Sequence, residues 1–448
     1  MRVIYFIIFL LLIGCSSPPP TSYDLIISNV NLIDGTGREM KSNVNVYIQG
    51  GKINAIGNTP VTQTENVIDG TDKYLIPGLF DCHAHTGSYE VDLPRFIHYG
   101  VTNILCPGGS KTTNEYFASM RALGNQDLLP APRVFHTSQH FTMEGRHPVK
   151  TYPGGSWVEG ETVFYLRDTL QIESLVKQVV EYPIVGIKLT IEDGPAPPFV
   201  ERMPQAFITK VESEAQKNGT EVFAHVSDNI ELSMALKAGI KNILHFTGVD
   251  LDFENDKALI DSIYNSDLSW VTTLALDKSF IYPLHEDWIN EIERINLFNP
   301  DEVKMLREPT ATQQAKQMAM MYKEYFGIDN PTLKNIIEPQ VTEIKILYEN
   351  GVNMVLGTDT GNNFIFPGYS LHEEMQLMEL GGMAPLDIIK MATFNAAKML
   401  NVLGTQGSIE AGKVADMILL DRNPLESISN TLSIHTVFKN GKLQQRLN

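Results

Sequence analysis

Two histidines in the stretch Tyr74 to Thr86 (YLIPGLFDCHAHT) have residue types and spacing that suit metal binding. His83 and His85 follow a short apolar run, and in a strand residues two positions apart point to the same side. Neutral imidazole is a good ligand for Zn²⁺ and similar divalent ions. The pair could therefore form half of a metal site. Taken alone, it is equally compatible with two surface histidines.

Side chains with similar chemistry occur where later apolar runs end. Each of them, taken singly, could be an ordinary core or rim residue with its hydrogen bonds satisfied. Because the carboxyl ends of parallel strands in a barrel meet at one rim, we expect them to converge with the histidine pair on a metal site. These residues are Lys188, His225, His245 and Asp359.

Lys188 is the unusual member of this set, since lysine is rarely buried without a partner. A protonated ammonium would be repelled by metal cations. A neutral amine can instead take up CO2 and become a carbamate, which is an anionic ligand with two oxygens. The alternative is an ion pair with Asp359 or Glu192.

The elements that would position these residues form a strand–helix rhythm over residues 75–400. Short apolar runs alternate with amphipathic stretches, which predicts an α/β fold, specifically a (β/α)8 TIM barrel with functional side chains at the C-terminal strand ends. A segment rich in charge and aromatics, 277–330, interrupts the rhythm, and we expect it to form helices above the barrel mouth. The apolar runs are 75–80, 101–105, 133–135, 184–189, 221–224, 242–244, 269–274 and 353–356.

The two ends of the mature chain resemble each other in pattern. Residues 22–74 and 401–448 consist of short strand-like runs separated by turn signals such as Asp34-Gly35 and Gly50-Gly51. We expect these pieces to form one small β-sandwich domain, built from both termini and flanking the barrel.

The N-terminus has the features of a processing segment. Arg2 precedes an apolar run, Val3 to Ile13, which is shorter than the roughly 20 residues that span a bilayer. The run ends in Leu-Ile-Gly-Cys15, which resembles the bacterial lipoprotein cleavage box. Residues 1–14 would then be a lipoprotein signal peptide, Cys15 the lipidated residue, and 15–21 the tether. The alternative is an ordinary signal peptide with an irrelevant cysteine.

This interpretation predicts an exported bacterial lipoprotein that faces the periplasm or the cell surface. Ser16, which follows Cys15, does not resemble an inner-membrane retention signal, so we expect the outer membrane to hold the anchor. Membrane contact is expected only through the acyl chains.

Composition indicates an ordinary globular protein of 448 residues, with 43% hydrophobic and 20% charged residues. Its net charge of −18 argues against non-specific nucleic-acid binding, which needs basic patches.

Cys82 and Cys106 could pair in an oxidising compartment, but two cysteines are no disulfide framework, and we expect Cys82 to be a buried thiol. A small molecule is the expected partner, and homo-oligomerisation is left open.

Several motifs around these residues occur in a fixed order: PGLFDCHAH, GIKL, FAH, ILH and GTD, then the tail ATFNAAKMLN…GSIEAGKVADMILLDRNPL. Together they resemble the amidohydrolase superfamily, and more narrowly its imidazolonepropionase-like and metal-dependent prolidase-like branch. The resemblance covers nearly the whole mature chain. It specifies the superfamily much more closely than the substrate.

The resemblance implies two divalent metal ions, expected to be Zn²⁺. His83, His85 and Asp359 would hold the first. A hydroxide bridging the two ions would be the nucleophile, because such ions lower the pKa of shared water and polarise a carbonyl. Asp359 would act as general base and then as general acid.

The resemblance also implies that His225 and His245 hold the second ion, with a CO2-derived carbamate on Lys188 bridging the pair. If Lys188 is unmodified, a single-metal site formed by His83, His85, His225 and Asp359 remains open.

Substrate contacts are expected near residues 138–148 (SQHFTMEGRHP), whose end resembles the Gly-Gly-His-Pro segment of this branch. His147 is the predicted donor to the substrate carbonyl oxygen, with His140 as the alternative. Either histidine could instead bond the backbone of its loop. Arg146 stands in place of the second glycine, where it could bind a carboxylate or reshape the loop.

Two further residues are predicted to contact substrate. Tyr152 is a candidate pocket wall. Arg202 could pair with a substrate carboxylate, although an arginine on a loop is more often solvated.

These features predict a binuclear metal hydrolase that cleaves amide bonds of small molecules such as dipeptides, N-acyl amino acids or cyclic amides. One alternative is a lactonase or phosphotriesterase, since the same centre can attack esters and phosphorus. Another is a non-catalytic surface lipoprotein that uses the barrel for binding.

Overall fold

The computed structural model describes residues 23–58, 66–108, 114–125, 130–155, 157–194, 199–246, 248–295 and 300–447. The predicted signal peptide, the lipidation site Cys15 and the tether to residue 21 lie outside these ranges. Within them, no helix combines the length and the apolar character needed to cross a bilayer.

The strands belong to three hydrogen-bonded sheets. In chain order they are β1 (Leu25–Leu32), β2 (Lys41–Gln49), β3 (Lys52–Gly57), β4 (Val67–Asp69), β5 (Tyr74–Pro77), β6 (Leu79–Asp81), β7 (Val101–Cys106), β8 (Arg133–His136), β9 (His140–Thr142), β10 (Val163–Tyr165), β11 (Gly186–Thr190), β12 (Glu221–His225), β13 (Asn242–Leu244), β14 (Ser269–Val271), β15 (Asn353–Val355), β16 (Met417–Leu420), β17 (Ile434–Lys439) and β18 (Lys442–Leu443).

The helices lie mostly between the strands of the central region. They are α1 (Tyr89–His98), α2 (Asn114–Asn125), α3 (Ile172–Val179), α4 (Gln205–Lys217), α5 (Asn229–Ala238), α6 (Lys257–Tyr264), α7 (Ala275–Ile281), α8 (Glu286–Ile295), α9 (Pro300–Leu306), α10 (Pro309–Phe326), α11 (Leu333–Glu349), α12 (Tyr369–Leu380), α13 (Pro385–Lys390) and α14 (Ala396–Met399).

Both chain ends contribute to one mixed sheet with the order β18-β17-β16-β5-β1-β2-β3, and β4 pairs with β1. The sheet curls back on itself, because Ile53 in β3 donates its N–H to Lys413 O (2.8 Å), just before β16. Apolar side chains from β1, β2, β16 and β17 fill the space inside. The expected β-sandwich is therefore one continuous curled sheet, and not two separate sheets.

The first apolar run of the central region is divided between two sheets at Pro77-Gly78. β5 pairs with β16 and β1 in the terminal sheet, whereas β6 pairs with β7 in a parallel sheet. A side chain at Gly78 would meet Thr102 Oγ1 at 2.2 Å, so only glycine fits this crossing. The predicted domain boundary at 74/75 thus falls inside β5.

The central strands form two all-parallel sheets, β6-β7-β8 and β10-β9-β11-β12-β13-β14-β15. Backbone hydrogen bonds join them on both sides. Val185 donates to His136 O (2.9 Å) between β8 and β11, and Cys82 donates to Leu356 O (3.1 Å) beside β6 and β15. The α/β class predicted from the sequence is confirmed. Cys82 and Cys106 are free, buried thiols.

The structure contains two strands that the sequence pattern did not predict. β9, in the segment 138–148 that was treated as a loop, and β10 extend the parallel sheet beyond β11. The interrupting segment after β14 is helical, as expected, and forms α7 to α10.

Candidate metal centre

The first part of the centre is formed by the end of β6 and the turn after β15. Asp359 Oδ1 lies 3.3 Å from Nε2 of both His83 and His85. Gly361, with a φ of +109°, allows the turn to approach His85, because a Cβ there would lie 2.7 Å from that of the histidine. The structure therefore brings together the three residues predicted to hold the first ion.

The second part is formed by the ends of β11, β12 and β13. His225 Nδ1 lies 3.1 Å from His245 Nε2 and 3.5 Å from Lys188 Nζ. Three nitrogen atoms from three neighbouring strands thus face one another, and they are the side chains predicted to surround the second ion.

The two parts are in direct contact. The rings of His83 and His245 are 4.4 Å apart, and those of His225 and His245 are 4.2 Å apart. His245, Asp359 and Thr273 have positive φ values of 73°, 62° and 58°. Left-handed backbone is unfavourable for residues other than glycine and concentrates at functional sites. The three residues follow β13, β14 and β15, so this conformation occurs where three neighbouring strands end at the centre.

The electrostatics of the centre favour neutral imidazoles. Burial, reinforced by neighbouring histidines and Lys188, holds the pKa of His83, His225 and His245 well below the ordinary value. Burial alone would raise the pKa of Asp359, but the hydrogen bond from His85 and the nearby His245 keep it below its usual value. The site thus presents imidazole lone pairs beside a carboxylate anion.

Lys188 is 1% exposed and lies in the middle of β11. Burial lowers its pKa to about 7, although Asp359 and Glu192 act in the opposite direction. Among the described residues, no carboxylate forms an ion pair with its Nζ. The ion pair with Asp359 or Glu192, considered from the sequence, is therefore absent.

This set of donors fits divalent metal ions. Nitrogen ligands with available lone pairs and one carboxylate converge at strand ends, the composition that Zn²⁺ and related ions prefer. Ligand atoms of His83, His245 and Asp359 all lie within 4.8 Å of one another. His83 Nδ1 is buried and has no hydrogen-bond partner in the described chain, so this nitrogen is not committed to another group.

The two arginines predicted to bind a substrate carboxylate are engaged elsewhere. Arg202 contacts three carboxylates, those of Asp193, Asp228 and Glu231. Arg146 binds the backbone oxygen of Arg202 and the carboxylate of Glu201. Arg146 thus holds residues 201–202, and Arg202 joins Asp193 to the start of α5. Because nearby acids already neutralise both guanidinium groups, the structure does not support either of them as the group that binds a substrate carboxylate.

His147 lies next to the centre with both ring nitrogens occupied. Nε2 is 3.3 Å from Glu192 Oε2, and Nδ1 is 2.7 Å from Thr151 Oγ1. The rings of His147 and Tyr152 are 5.4 Å apart, which places the predicted pocket wall against this histidine. In this arrangement His147 has no nitrogen left for a substrate carbonyl.

His140 occupies β9 directly beside Lys188 in the parallel register. Its Nδ1 is 3.2 Å from Thr190 Oγ1, and its ring packs against Trp157 at 5.7 Å. Its Nε2 lies close to Gly108, where a Cβ would approach it to 2.8 Å. Of the two histidines, His140 is therefore the one that keeps a ring nitrogen, Nε2, without a hydrogen-bond partner among the described residues.

Two acidic residues near the centre were not predicted as functional. Glu192 contacts Nε2 of both His225 and His147. It could have been found from the alternation of side chains, because Lys188, Thr190 and Glu192 share one face of an extended chain. Glu374 accepts hydrogen bonds from Thr272 and from the backbone of Leu274 and Ala275, and no local pattern indicates this contact.

A cavity of about 340 Å³ opens beside His85. Its walls come from α1, α9 and the segment 360–367, and include Asn362 and Phe364. Arg95 of α1 pairs with Glu302 of α9 at 3.2 and 3.0 Å, which ties the interrupting segment to the wall. The centre thus has adjoining space for a small molecule.

Comparison with known proteins identifies relatives of the whole chain. A sequence model of the Amidohydrolase family matches residues 74–443. An imidazolonepropionase of Fusobacterium nucleatum is 25% identical, with 93% of each chain covered. A 5-methylthioadenosine/S-adenosylhomocysteine deaminase of Caldanaerobacter subterraneus is 23% identical, covering 94% of this chain and 92% of the deaminase.

Among solved structures, a Xaa-Pro dipeptidase with methionine bound in its active site is similar in fold. Its TM-score is 0.68 at 24% identity, covering 94% of this chain and 99% of the dipeptidase. The shared fold extends over both the terminal sheet and the central strands.

Proposed function

The chain belongs to the amidohydrolase family, whose members named above act on carbon–nitrogen bonds, and on this basis we propose that it is a binuclear metal-dependent hydrolase of amide bonds in small molecules. The superfamily resemblance predicted from the sequence is confirmed. The substrate, the two-ion centre and the roles of individual residues are our proposal.

We also infer that the parallel strands close into one (β/α)8 barrel, formed by β6 to β8 and β11 to β15. The hydrogen bonds on both sides of the three-stranded sheet support this closure. A closed barrel explains why side chains from distant parts of the sequence meet at one rim.

One observation carries the proposal: the residues predicted to hold metal converge on a single point. His83, His85 and Asp359 contact one another on one side, and His225, His245 and Lys188 on the other. We propose that each set holds one divalent ion, with Zn²⁺ as the expected metal. When bound, the ions would supply a water molecule that is acidic enough to attack at neutral pH and would polarise the scissile carbonyl.

Asp359 is proposed to move the proton. Its carboxylate lies between the histidine pair and His245, and its pKa is held below the ordinary range. It can accept the proton of the attacking water as a general base and then deliver it to the leaving amine as a general acid.

Lys188 is proposed to carry a carbamate. The side chain is buried among histidines and forms no ion pair with a described carboxylate, so an ammonium ion would have no directly bonded counter-ion at this position. Conversion to a carbamate replaces a buried cation by an anion that two cations can share.

The remaining parts of the site suit a small amide substrate. His140 is proposed to donate a hydrogen bond to the carbonyl oxygen as negative charge develops there. The cavity beside His85 lies at the small end of the range of typical ligand pockets, about 300–1,000 Å³. Dipeptides, N-acyl amino acids and cyclic amides are of this size class.

Turnover by the metal-loaded protein tests this proposal. A panel of dipeptides, N-acyl amino acids and cyclic amides is compared with lactones and phosphotriesters, and the ion content is measured on the same sample. We expect amide hydrolysis and two ions per chain. Turnover restricted to lactones or phosphotriesters would contradict the amide assignment, and a chain without ions or turnover would favour a binding protein.

We further propose that the chain is an exported lipoprotein anchored through Cys15 to the outer membrane. The charged start, the short apolar run and the Leu-Ile-Gly-Cys sequence support this proposal.

A further inference from the structure

Glu192 lies between two histidines behind the metal centre. Its Oε2 is in direct contact with Nε2 of His225 and is 3.3 Å from Nε2 of His147. The side chain is 2% exposed. A carboxylate buried this deeply is costly unless hydrogen-bond donors surround it. The two imidazole rings are therefore the groups with which this buried carboxylate interacts.

The two nitrogens of His225 face different neighbours. Nδ1 points toward His245 Nε2 and Lys188 Nζ, at 3.1 and 3.5 Å, which is where the second ion is proposed to bind. A neutral imidazole has one N–H and one lone pair. For Nδ1 to offer its lone pair to an ion, the proton must reside on Nε2, and Glu192 Oε2 is the carboxylate oxygen that lies in contact with Nε2.

We infer that Glu192 is a positioning residue for the second metal ion, which it serves by accepting the Nε2–H of His225 and fixing the tautomer and orientation of that ring. The inference rests on the proposed binuclear centre and adds a residue that the metal-ligand motifs do not contain. Outer carboxylates of this kind orient a ligating histidine and raise its basicity.

The backbone on either side of Glu192 is held in place. Ile191 donates its N–H to His225 O (3.3 Å), and Asp193 donates its N–H to Glu231 Oε1 (3.0 Å). These bonds tie the residue to the end of β12 and to the start of α5. Because the main chain is fixed at both neighbours, the carboxylate is delivered to His225 in one position.

The two histidines of the second ion have different outer partners. His245 Nδ1 meets the hydroxyl of Thr273 at 3.0 Å, whereas His225 Nε2 meets a carboxylate. No contact joins Glu192 to the His83, His85 and Asp359 set, all of which the structure describes. Removal of Glu192 should therefore affect the second ion and spare the first.

His147 shares Glu192 with His225, and ligand atoms of the three residues lie within 4.8 Å of one another. This group could be read as a further metal site. His225 would then have to use both ring nitrogens as ligands and lose its N–H proton. The contact of its Nδ1 with the second-ion set favours a positioning role over a third ion.

Metal titration of the full-length protein tests the inference. Metal-free wild type, Glu192→Gln, Glu192→Asp and Glu192→Ala are titrated with Co²⁺, and binding is followed by visible absorption and calorimetry. We expect the first equivalent to bind with unchanged affinity. The second equivalent should bind about 10–100-fold more weakly in Glu192→Ala, with intermediate values for Gln and Asp, which retain an acceptor.

Glu212→Gln is the matched control, because Glu212 is also a buried carboxylate but bonds Gln216 within α4. It should bind both equivalents like the wild type. An unchanged second equivalent in Glu192→Ala would overturn the inference, as would a third equivalent in the wild type that this variant loses. A wild type that binds two ions but cleaves no amide would contradict the proposed function and leave the role of Glu192 standing.

Discussion

Asp81 and Thr358 form a buried pair directly beneath the metal centre. Asp81 Oδ2 accepts a hydrogen bond from Thr358 Oγ1 at 2.7 Å, and Oδ1 accepts one from Thr358 N at 3.0 Å. Asp81 ends β6, two residues before His83, and Thr358 immediately precedes Asp359. The pair therefore couples the element carrying the histidines to the element carrying the aspartate.

Replacing Thr358 by valine should weaken this coupling. One oxygen of the buried Asp81 carboxylate loses its hydroxyl donor, and an unsatisfied buried acceptor costs about 1–3 kcal/mol. We expect a decrease of that size in the free energy of unfolding, measured by denaturant titration of metal-free protein. Thr342→Val, on the exposed side of α11, should be nearly neutral. Equal effects of the two substitutions would contradict the structural role of the pair.

Asp359→Asn should separate metal binding from proton transfer. Asparagine keeps an oxygen that can face His83 and His85 but is a far weaker base. We expect much of the metal to be retained while kcat for amide hydrolysis falls by about 10²–10⁴-fold, the range for loss of a general base. Asp252→Asn, at an exposed turn, is the control. A variant with undiminished turnover would refute the acid–base assignment.

Lys188→Ala should remove the bridging ligand. We expect the variant to lose one of the two ions, as measured by elemental analysis after desalting. Wild type prepared with labelled bicarbonate should show a carbamate carbon signal in ¹³C NMR, and the variant prepared in the same way should not. Lys413→Ala changes another buried lysine, whose Nζ bonds Ser408 Oγ in the segment before β16, and should leave the ion content unchanged. Retention of two ions by Lys188→Ala would exclude the bridging role.

Glu374 should make stability depend on pH. Burial raises its pKa to about 8 in the folded state, from an ordinary value of 4.5. Between these values the folded chain binds more protons than the unfolded chain, so stability falls as pH rises from about 4.5 to 8. Metal-free Glu374→Gln should show a shallower decline in denaturant unfolding experiments. The exposed Glu349→Gln serves as control, and a slope in Glu374→Gln equal to that of wild type would argue against this assignment.

Cys15→Ala should release the protein from membranes. In cells given labelled palmitate, we expect label on the wild type and none on the variant, because the lipid is proposed to attach to this thiol. Cys82→Ala, which removes a buried thiol, should retain the label. Labelling of Cys15→Ala, or its stable association with the membrane fraction, would contradict the lipoprotein proposal.

The sequence predicted the positions of strand ends better than the contacts around them. Apolar runs that end in His, Lys or Asp are local patterns, and β13 matches its predicted bounds. Two partners of Arg202, Asp228 and Glu231, lie 26 and 29 residues away along the chain, so no local pattern indicates that this guanidinium is neutralised. For the same reason the link from Glu374 to the turn at Thr272 could not be foreseen.

The division at Pro77-Gly78 was missed for a different reason. An uninterrupted apolar run does not reveal that β5 and β6 are buried in different sheets, because both environments require the same residue types. The single curled sheet at the chain ends escaped prediction likewise, since the closing contact between Ile53 and Lys413 joins distant segments.

The pairing of β5 with β16 has a consequence for the order in which the molecule is made. β5 is followed directly by β6, the strand that precedes His83. The antiparallel neighbour of β5 is β16, Met417–Leu420, which is made much later. Synthesis must therefore have passed Met417–Leu420 before this edge of the histidine-bearing segment acquires its partner. Metal capture by the proposed first set of ligands should accordingly follow the synthesis of β16 and not accompany that of β6.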